Sequence, residues 1–133
     1  MIMKYALVVR CAPTDGNLAY TALQFAEAIL QSVHQLDMVF FYQRGVLTAN
    51  KLGVVPQDEI NITHQWQKLA TDYPVQLNIC IAAALCQGVI DQQEAQRYQL
   101  NQHNLANRFN LVGLGQLASA TTKCDRLVSF GHN

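Results

Sequence analysis

The sequence predicts an α/β fold built on an open parallel sheet, and three observations carry that expectation. Strand-like and helix-like segments alternate from end to end, with no repeat, low-complexity tract or linker between them. The first strand candidate is a continuous apolar run, as in strands covered on both faces. Half of the 133 residues are hydrophobic. A chain of this size buries roughly two-thirds of its unfolded surface, so one domain spanning 1–133 can build a core without metal or disulfide staples.

Each element has its own justification. Tyr5 to Val9 is apolar throughout with a polar residue on each side, and opens the sheet. Cys11 to Gly16 is turn chemistry, after which Asn17 can cap a helix with Leu18, Ala22, Phe25, Ala26, Ile29 and Val33 on one face. Leu36 to Phe41 is a second buried strand. The stretch from Tyr42 to Glu59, with Gly45, Gly53 and Pro56, is an excursion of a length that is uncommon unless functional. A second amphipathic helix carries Ile62, Trp66, Leu69 and Tyr73 and is stopped by Pro74. The third strand runs from Val75 to Ile79, followed by a short Ala-rich helix closed by Leu85 and Gly88. Asp91 with Glu94 resembles a capping box opening another helix. Amides dominate from Asn101 to Asn110, where the signal weakens around a short candidate strand at Phe109 to Val112. Leu111, Leu114, Leu117 and Ala118 suggest a last helix, and Leu127, Val128 and Phe130 a last strand.

Composition excludes several classes of function. Nine Lys and Arg balance nine Asp and Glu, and no basic cluster exists, so the counterion-release mode of nucleic-acid binding has no footing. Only 14% of residues are charged, against roughly a quarter in ordinary soluble domains, while Gln contributes 15 residues and Asn 9. A surface so poor in charge implies that part of it is covered by partner subunits. The longest apolar stretch, Ile79 to Cys86, has eight residues, far below the roughly 20 that span a bilayer. The apolar run between Lys4 and Arg10 is too short for a signal-peptide core, which leads to the expectation of a cytoplasmic protein. Four cysteines at 11, 80, 86 and 124 show neither C-x-x-C nor zinc-ligand spacing, so they are expected as free thiols in a reducing compartment, and no metal site is expected.

Ligands of open parallel sheets sit at the carboxyl ends of the strands, where loops enter helix N-termini. Cys80 follows the alternating Val75, Leu77 and Ile79 and stands at the entry to Ile81-Ala82-Ala83-Ala84-Leu85. Unpaired backbone N–H groups and the positive helix end favour a thiolate there, and the small alanines are expected to leave the approach open. The same position also suits a small buried residue packing the junction. Cys11 sits in the neighbouring turn, where a second thiol could face the same crevice, although a core role fits it better. Cys86 lies about 240° around a continuous helix from Cys80 and cannot face it as a resolving pair. Cys124 reads as core. His34, His64, His103 and His132 read as surface residues, so no base accompanies the thiol. Exchange at sulfur needs no such base: a thiolate, access and a leaving group suffice.

Other site signals are weak. The first loop has one glycine where a dinucleotide fingerprint needs three, and G-K-[ST] is absent, so no cofactor is expected. Tyr42, Arg44 and Asn50 could border the crevice, and Trp66 reads as core.

The segments Tyr5-Ala6-Leu7-Val8-Val9, Phe40-Phe41-Tyr42 with Gly45-Val46 and Ala49-Asn50, Leu77-Asn78-Ile79-Cys80-Ile81-Ala82-Ala83-Ala84-Leu85 with Gly88-Val89, Gly113-Leu114-Gly115, and Cys124-Asp125-Arg126 together resemble the DsrE-like family of sulfur-relay proteins, nearly end to end. The resemblance implies a flavodoxin-like, three-layer α/β/α subunit with a mostly parallel five-stranded sheet, assembled with TusB-like and TusC-like chains as a heterohexamer. It further implies that Cys80 accepts persulfide sulfur from a TusA-like donor and passes it to a TusE-like acceptor, on the route to 2-thiouridine at the tRNA wobble position, without direct contact to nucleic acid or membrane. Cys86-Gln87 departs from the basic residues common in the family at that place. A DsrE-type carrier of dissimilatory sulfur oxidation would use the same thiol. A structural subunit with an inert cysteine and a flavodoxin-like small-ligand binder are the readings from other classes.

Overall fold

The computed structural model describes residues 1–131. Along the chain run β1 (Lys4–Val9), α1 (Leu18–Leu30), β2 (Gln35–Phe41), a 3-10 helix (Gln43–Ala49), α2 (Ile62–Asp72), β3 (Gln76–Cys80), α3 (Ile81–Cys86), α4 (Gln92–Arg97), β4 (Phe109–Val112), α5 (Leu114–Lys123) and β5 (Arg126–Phe130). The strands form one sheet in the order β4-β3-β2-β1-β5, and every pairing is parallel. The expected layers and strand number are therefore present. The order differs from the 2-1-3-4-5 arrangement of flavodoxin. β1 to β4 step across the sheet in one direction, and only β5 returns past β1.

Right-handed crossovers put helices of successive same-direction steps on one face and the return helix on the other. Side chains alternate along a strand, so Leu7, Val9, Val39, Phe41, Leu77 and Ile79 share one face and Ala6, Val8, Met38, Phe40, Asn78 and Cys80 the other. α1 and α2 cover the first face: Phe41 meets Trp66 edge-on at 5.4 Å between ring centres, and Tyr5 meets Phe25 at 6.2 Å. α5 lies on the second, where its Gln116, Ser119 and Ala120 share a cavity of about 250 Å³ with Ala6, Met38 and Gln76. Full burial of a large apolar side chain stabilises by about 1.5–3 kcal/mol. Trp66, Phe40, Phe41, Leu7, Leu77 and Ile79 are all sealed, so β1, β2, β3 and α2 supply most of this term. α5, like β5, has no fully buried residue and contributes little.

Several local expectations shift. α1 ends at Leu30, so Val33 stands 72% exposed beyond it, and the buried stripe is Ala19, Ala22, Leu23, Ala26 and Ile29. Phe25 moves to the rim, against Tyr5 and Phe130. Asn17 occupies the N-cap of α1 without a side-chain cap bond. Asp91 does cap α4, accepting from the Glu94 backbone N–H at 2.8 Å, but the return half of the box is missing. Glu94 Oε2 is buried without a hydrogen-bond partner, while Oε1 lies 3.7 Å from Arg97 Nη1. The third strand is one residue later than its apolar pattern suggested and includes Cys80.

The amide-rich segment proves to be a buckle. Asn104 Oδ1 accepts from the Ile90 N–H at 2.8 Å, and its Nδ2 donates to the Gly88 carbonyl at 2.9 Å and to Asn50 Oδ1 at 3.1 Å. The Asn104 carbonyl accepts from the Lys51 N–H, and Ala106 N–H donates to the Ala49 carbonyl. The long excursion is thus tied to the turn after α3. Asn104→Ala removes three side-chain bonds and is expected to lower stability by about 1–3 kcal/mol, read as a lower urea midpoint; an unchanged midpoint would contradict the buckle. Among the described residues no helix is long and apolar enough to cross a membrane.

Candidate functional site

Cys80 closes β3 and is the N-cap residue of α3, with φ −60° and ψ 115°. Its backbone lies in register with Val112 of β4. The strand forms because Leu77 and Ile79 bury against the α1–α2 layer, and the alternation that seats them turns Asn78 and Cys80 to the opposite face. The thiol makes no side-chain cap bond. α3 has only six residues, so the thiol's helical neighbours are a few first-turn amides rather than the summed dipole of a long helix.

Access differs from the expectation of an open approach. Cys80 is 1% exposed, whereas Ala82 stands in solvent. The reason is the strand's alternation: it carries the thiol onto the inner face of the sheet instead of its rim. The topological reversal, between β1 and β5, lies two strands from β3, so the switch-point rule does not account for this location. At the reversal itself Arg10 Nε donates to Ser129 Oγ at 3.0 Å and Arg10 N–H to the Phe130 carbonyl at 2.8 Å.

The other thiols are dispersed. Cys11 is buried, and burial pushes its thiol above the ordinary value. β2 stands between β1 and β3. Two strand spacings separate Cys11 from Cys80 laterally by about 9–10 Å, beyond the roughly 7 Å that a disulfide bridges. The pair is therefore not set for a direct disulfide. Cys86 is exposed at the end of α3, and Cys124, expected in the core, is half-exposed at the C-cap of α5. Because the folded Cys11 holds its proton more firmly than the unfolded thiol, the stability it contributes is complete below the unfolded value of about 8.5 and declines as pH rises through the folded one. Wild-type protein is expected to lose more stability between about pH 8 and 10 than Cys11→Ala, measured by urea melts at each pH; parallel losses would contradict this.

The remaining candidates serve the scaffold. His34 Nδ1 accepts from the Met3 N–H at 3.0 Å and its ring meets Tyr5 at 5.9 Å, so it anchors the first strand rather than facing solvent freely. His64 and His103 are exposed, and His132 lies outside the described residues. Arg44 pairs in two-pronged fashion with Asp15 at 2.9 and 3.0 Å, clamping the turn after β1 to the 3-10 helix. Tyr42 is half-buried, its N–H donating to the Val9 carbonyl at 2.9 Å. Asn50 borders an apolar groove of about 480 Å³ formed with Pro13, Leu47, Val54 and Ile60, a groove to which Cys80 does not contribute. Trp66 is core, 1% exposed. Among the described residues no group of three or more His, Cys, Asp and Glu side chains could hold a metal ion.

One residue near the thiol escaped the sequence reading. Asn78 is 3% exposed, two positions before Cys80 on the same face. The signal was there: a lone amide between Leu77 and Ile79 in an otherwise apolar strand.

A sequence profile of the DsrE/DsrF-like family matches residues 3–130. The chain is 48% identical over 130 residues to a protein of Aliivibrio fischeri named Sulfurtransferase TusD homolog, a match covering 98% of this chain and all of that one. It is 47% identical over 128 residues to Sulfurtransferase TusD of Klebsiella pneumoniae, covering 96% of this chain and all of the relative. Among solved structures, that of the ychN protein from E. coli superposes with a TM-score of 0.73 at 19% identity, covering 97% of this chain and all of that one, which establishes a shared fold.

Proposed function

The chain belongs to the DsrE/DsrF-like family, and from that premise we propose that it is a sulfurtransferase subunit of a sulfur relay in which Cys80 carries the sulfur. The supporting observation is positional: Cys80 is the one thiol at a strand-to-helix junction on the carboxyl edge of β3, without a hydrogen-bonded cap to occupy it.

The chemistry balances without any co-reactant. A Cys80 thiolate attacks the outer sulfur of a donor persulfide; the donor's S–S bond breaks as the new one forms, and the donor sulfur leaves with the electron pair as a thiolate. In the second transfer an acceptor thiolate attacks the outer sulfur on Cys80, and Cys80 becomes the leaving thiolate. The carried sulfur keeps its oxidation level, and no acyl or phosphoryl transition state has to be stabilised.

Burial then has a role. A persulfide at a position 1% exposed is held away from bulk thiols and oxidants between transfers. Delivery requires the junction to open. α3 is six residues long and followed by Gly88 at φ +76°, the kind of short element that opens at low cost. Partner docking would supply the opening. The relay would involve a TusA-like donor, a TusE-like acceptor and TusB-like and TusC-like companion subunits in the cytoplasm, on the route to 2-thiouridine in tRNA. A chain with zero formal charge suits a protein that hands sulfur to another protein instead of gripping RNA.

The test is to incubate the purified chain with a persulfidated donor carrying radioactive outer sulfur and resolve it without reductant. Label on the chain that is released by a reducing thiol is expected. A chain that stays unlabelled while the donor retains its sulfur would refute the reading.

A further inference from the structure

Asn78 is the one buried polar residue within the sheet strands among the described residues; Thr48 and Glu94 lie in helical segments. It stands between Leu77 and Ile79, with Phe40 beside it in register on β2 and Asn110 on β4. Its partners are poor. Nδ2 donates to the Met38 thioether at 2.7 Å and to Gln76 Oε1 at 3.4 Å. A thioether is a weak acceptor and the second bond is long. Burying an amide with such partners works against stability, so the fold alone gives no reason for it.

The chemistry of the neighbouring residue does. Side chains two positions apart on one strand face begin about 7 Å from each other. An added sulfur extends the Cys80 side chain by about 2 Å, and the asparagine side chain covers much of the rest. We propose, resting on the reading of Cys80 as sulfur carrier, that Asn78 holds the outer sulfur of the Cys80 persulfide, its Nδ2–H turning from Met38 to the sulfur anion. A neutral amide suits the task. It donates to the anion without a proton it could transfer, so between transfers the sulfur is oriented and held as the anion, the form that stray thiolates attack least. Met38 and Gln76 keep the amide docked while the thiol is unloaded, through bonds weak enough to be exchanged for one to an anion.

The experiment loads wild type, Asn78→Leu and Asn78→Ala from a persulfidated TusA-like donor protein, whose docking supplies the opening, and follows the added sulfur on the Cys80 peptide by mass over time and across pH after the donor is removed. Leucine matches asparagine in size and removes the donors; alanine serves if leucine prevents folding. Wild type is expected to hold the sulfur about tenfold longer than either variant, the size of one hydrogen bond to a charged acceptor, and the variants' persulfide is expected to be captured by an alkylating agent only at higher pH. Alkylation of the unloaded thiol against pH is expected to coincide in all three, which separates an effect on the persulfide from a general disturbance. Equal lifetimes and equal pH profiles would overturn the role of Asn78 and leave Cys80 as carrier untouched. Failure of wild type to take sulfur on Cys80 would instead overturn the carrier reading, and this proposal with it.

Discussion

Cys80→Ser is expected to lower sulfur passage through the chain by at least about a thousandfold, because an alcohol at neutral pH is neither the nucleophile nor the leaving group that exchange at sulfur requires. The substitution is nearly isosteric at a buried position, so folding is expected to persist, which circular dichroism and a thermal melt check. Cys86→Ser is the informative companion. Cys86 is the exposed thiol, and any adventitious pickup of sulfur would favour it. Steady-state transfer from a persulfidated donor to an acceptor thiol is expected to be unaffected by Cys86→Ser. Equal rates for Cys80→Ser and wild type would remove Cys80 from the reaction.

The largest expected effect on stability lies at Gly45. A Cβ built there would sit 2.0 Å from the Val9 carbonyl oxygen and 2.8 Å from its carbon, both backbone atoms of the innermost sheet edge. Val9 also accepts from the Tyr42 N–H, and Gly45 N–H donates to the Tyr42 carbonyl, so the 3-10 helix is stitched down at the point of contact. Nothing flexible can yield. Gly45→Ala is expected to cost about 3 kcal/mol, or about 10 °C in the thermal midpoint. A midpoint within 2 °C of wild type, roughly the error of such a comparison, would show that the 3-10 helix can lift from β1 without penalty. The expected loss would also bear on the site, since this helix packs against both β3 and α3.

What the sequence disclosed follows from what local patterns can encode. β1, β2 and β3 were readable because strands covered on both faces leave apolar runs, and α2 because Trp66 and Leu69 keep helical spacing. Strand order was not readable: right-handed crossovers allow 4-3-2-1-5 as well as 2-1-3-4-5, and the choice rests on long-range packing. The periodicity that placed Val33 on α1 ran past the helix end, since spacing alone does not say where the chain leaves the helix. The buckle at Asn104 joins residues 14, 16 and 54 positions away, and such pairings leave no local trace. Cys80 was found by its place after an apolar strand, but an open thiol and a buried one both fitted that place, because register decides which face a strand-end residue meets. Asn78 was visible as a polar interruption and acquired meaning only when the sheet placed it on the thiol's face.

The most direct measurement is site-resolved mass analysis of all four cysteine peptides after the folded chain is loaded from a persulfide donor. One added sulfur on the Cys80 peptide, with Cys11, Cys86 and Cys124 unmodified, is the expected result. Sulfur on exposed Cys86 with Cys80 bare would contradict the assignment.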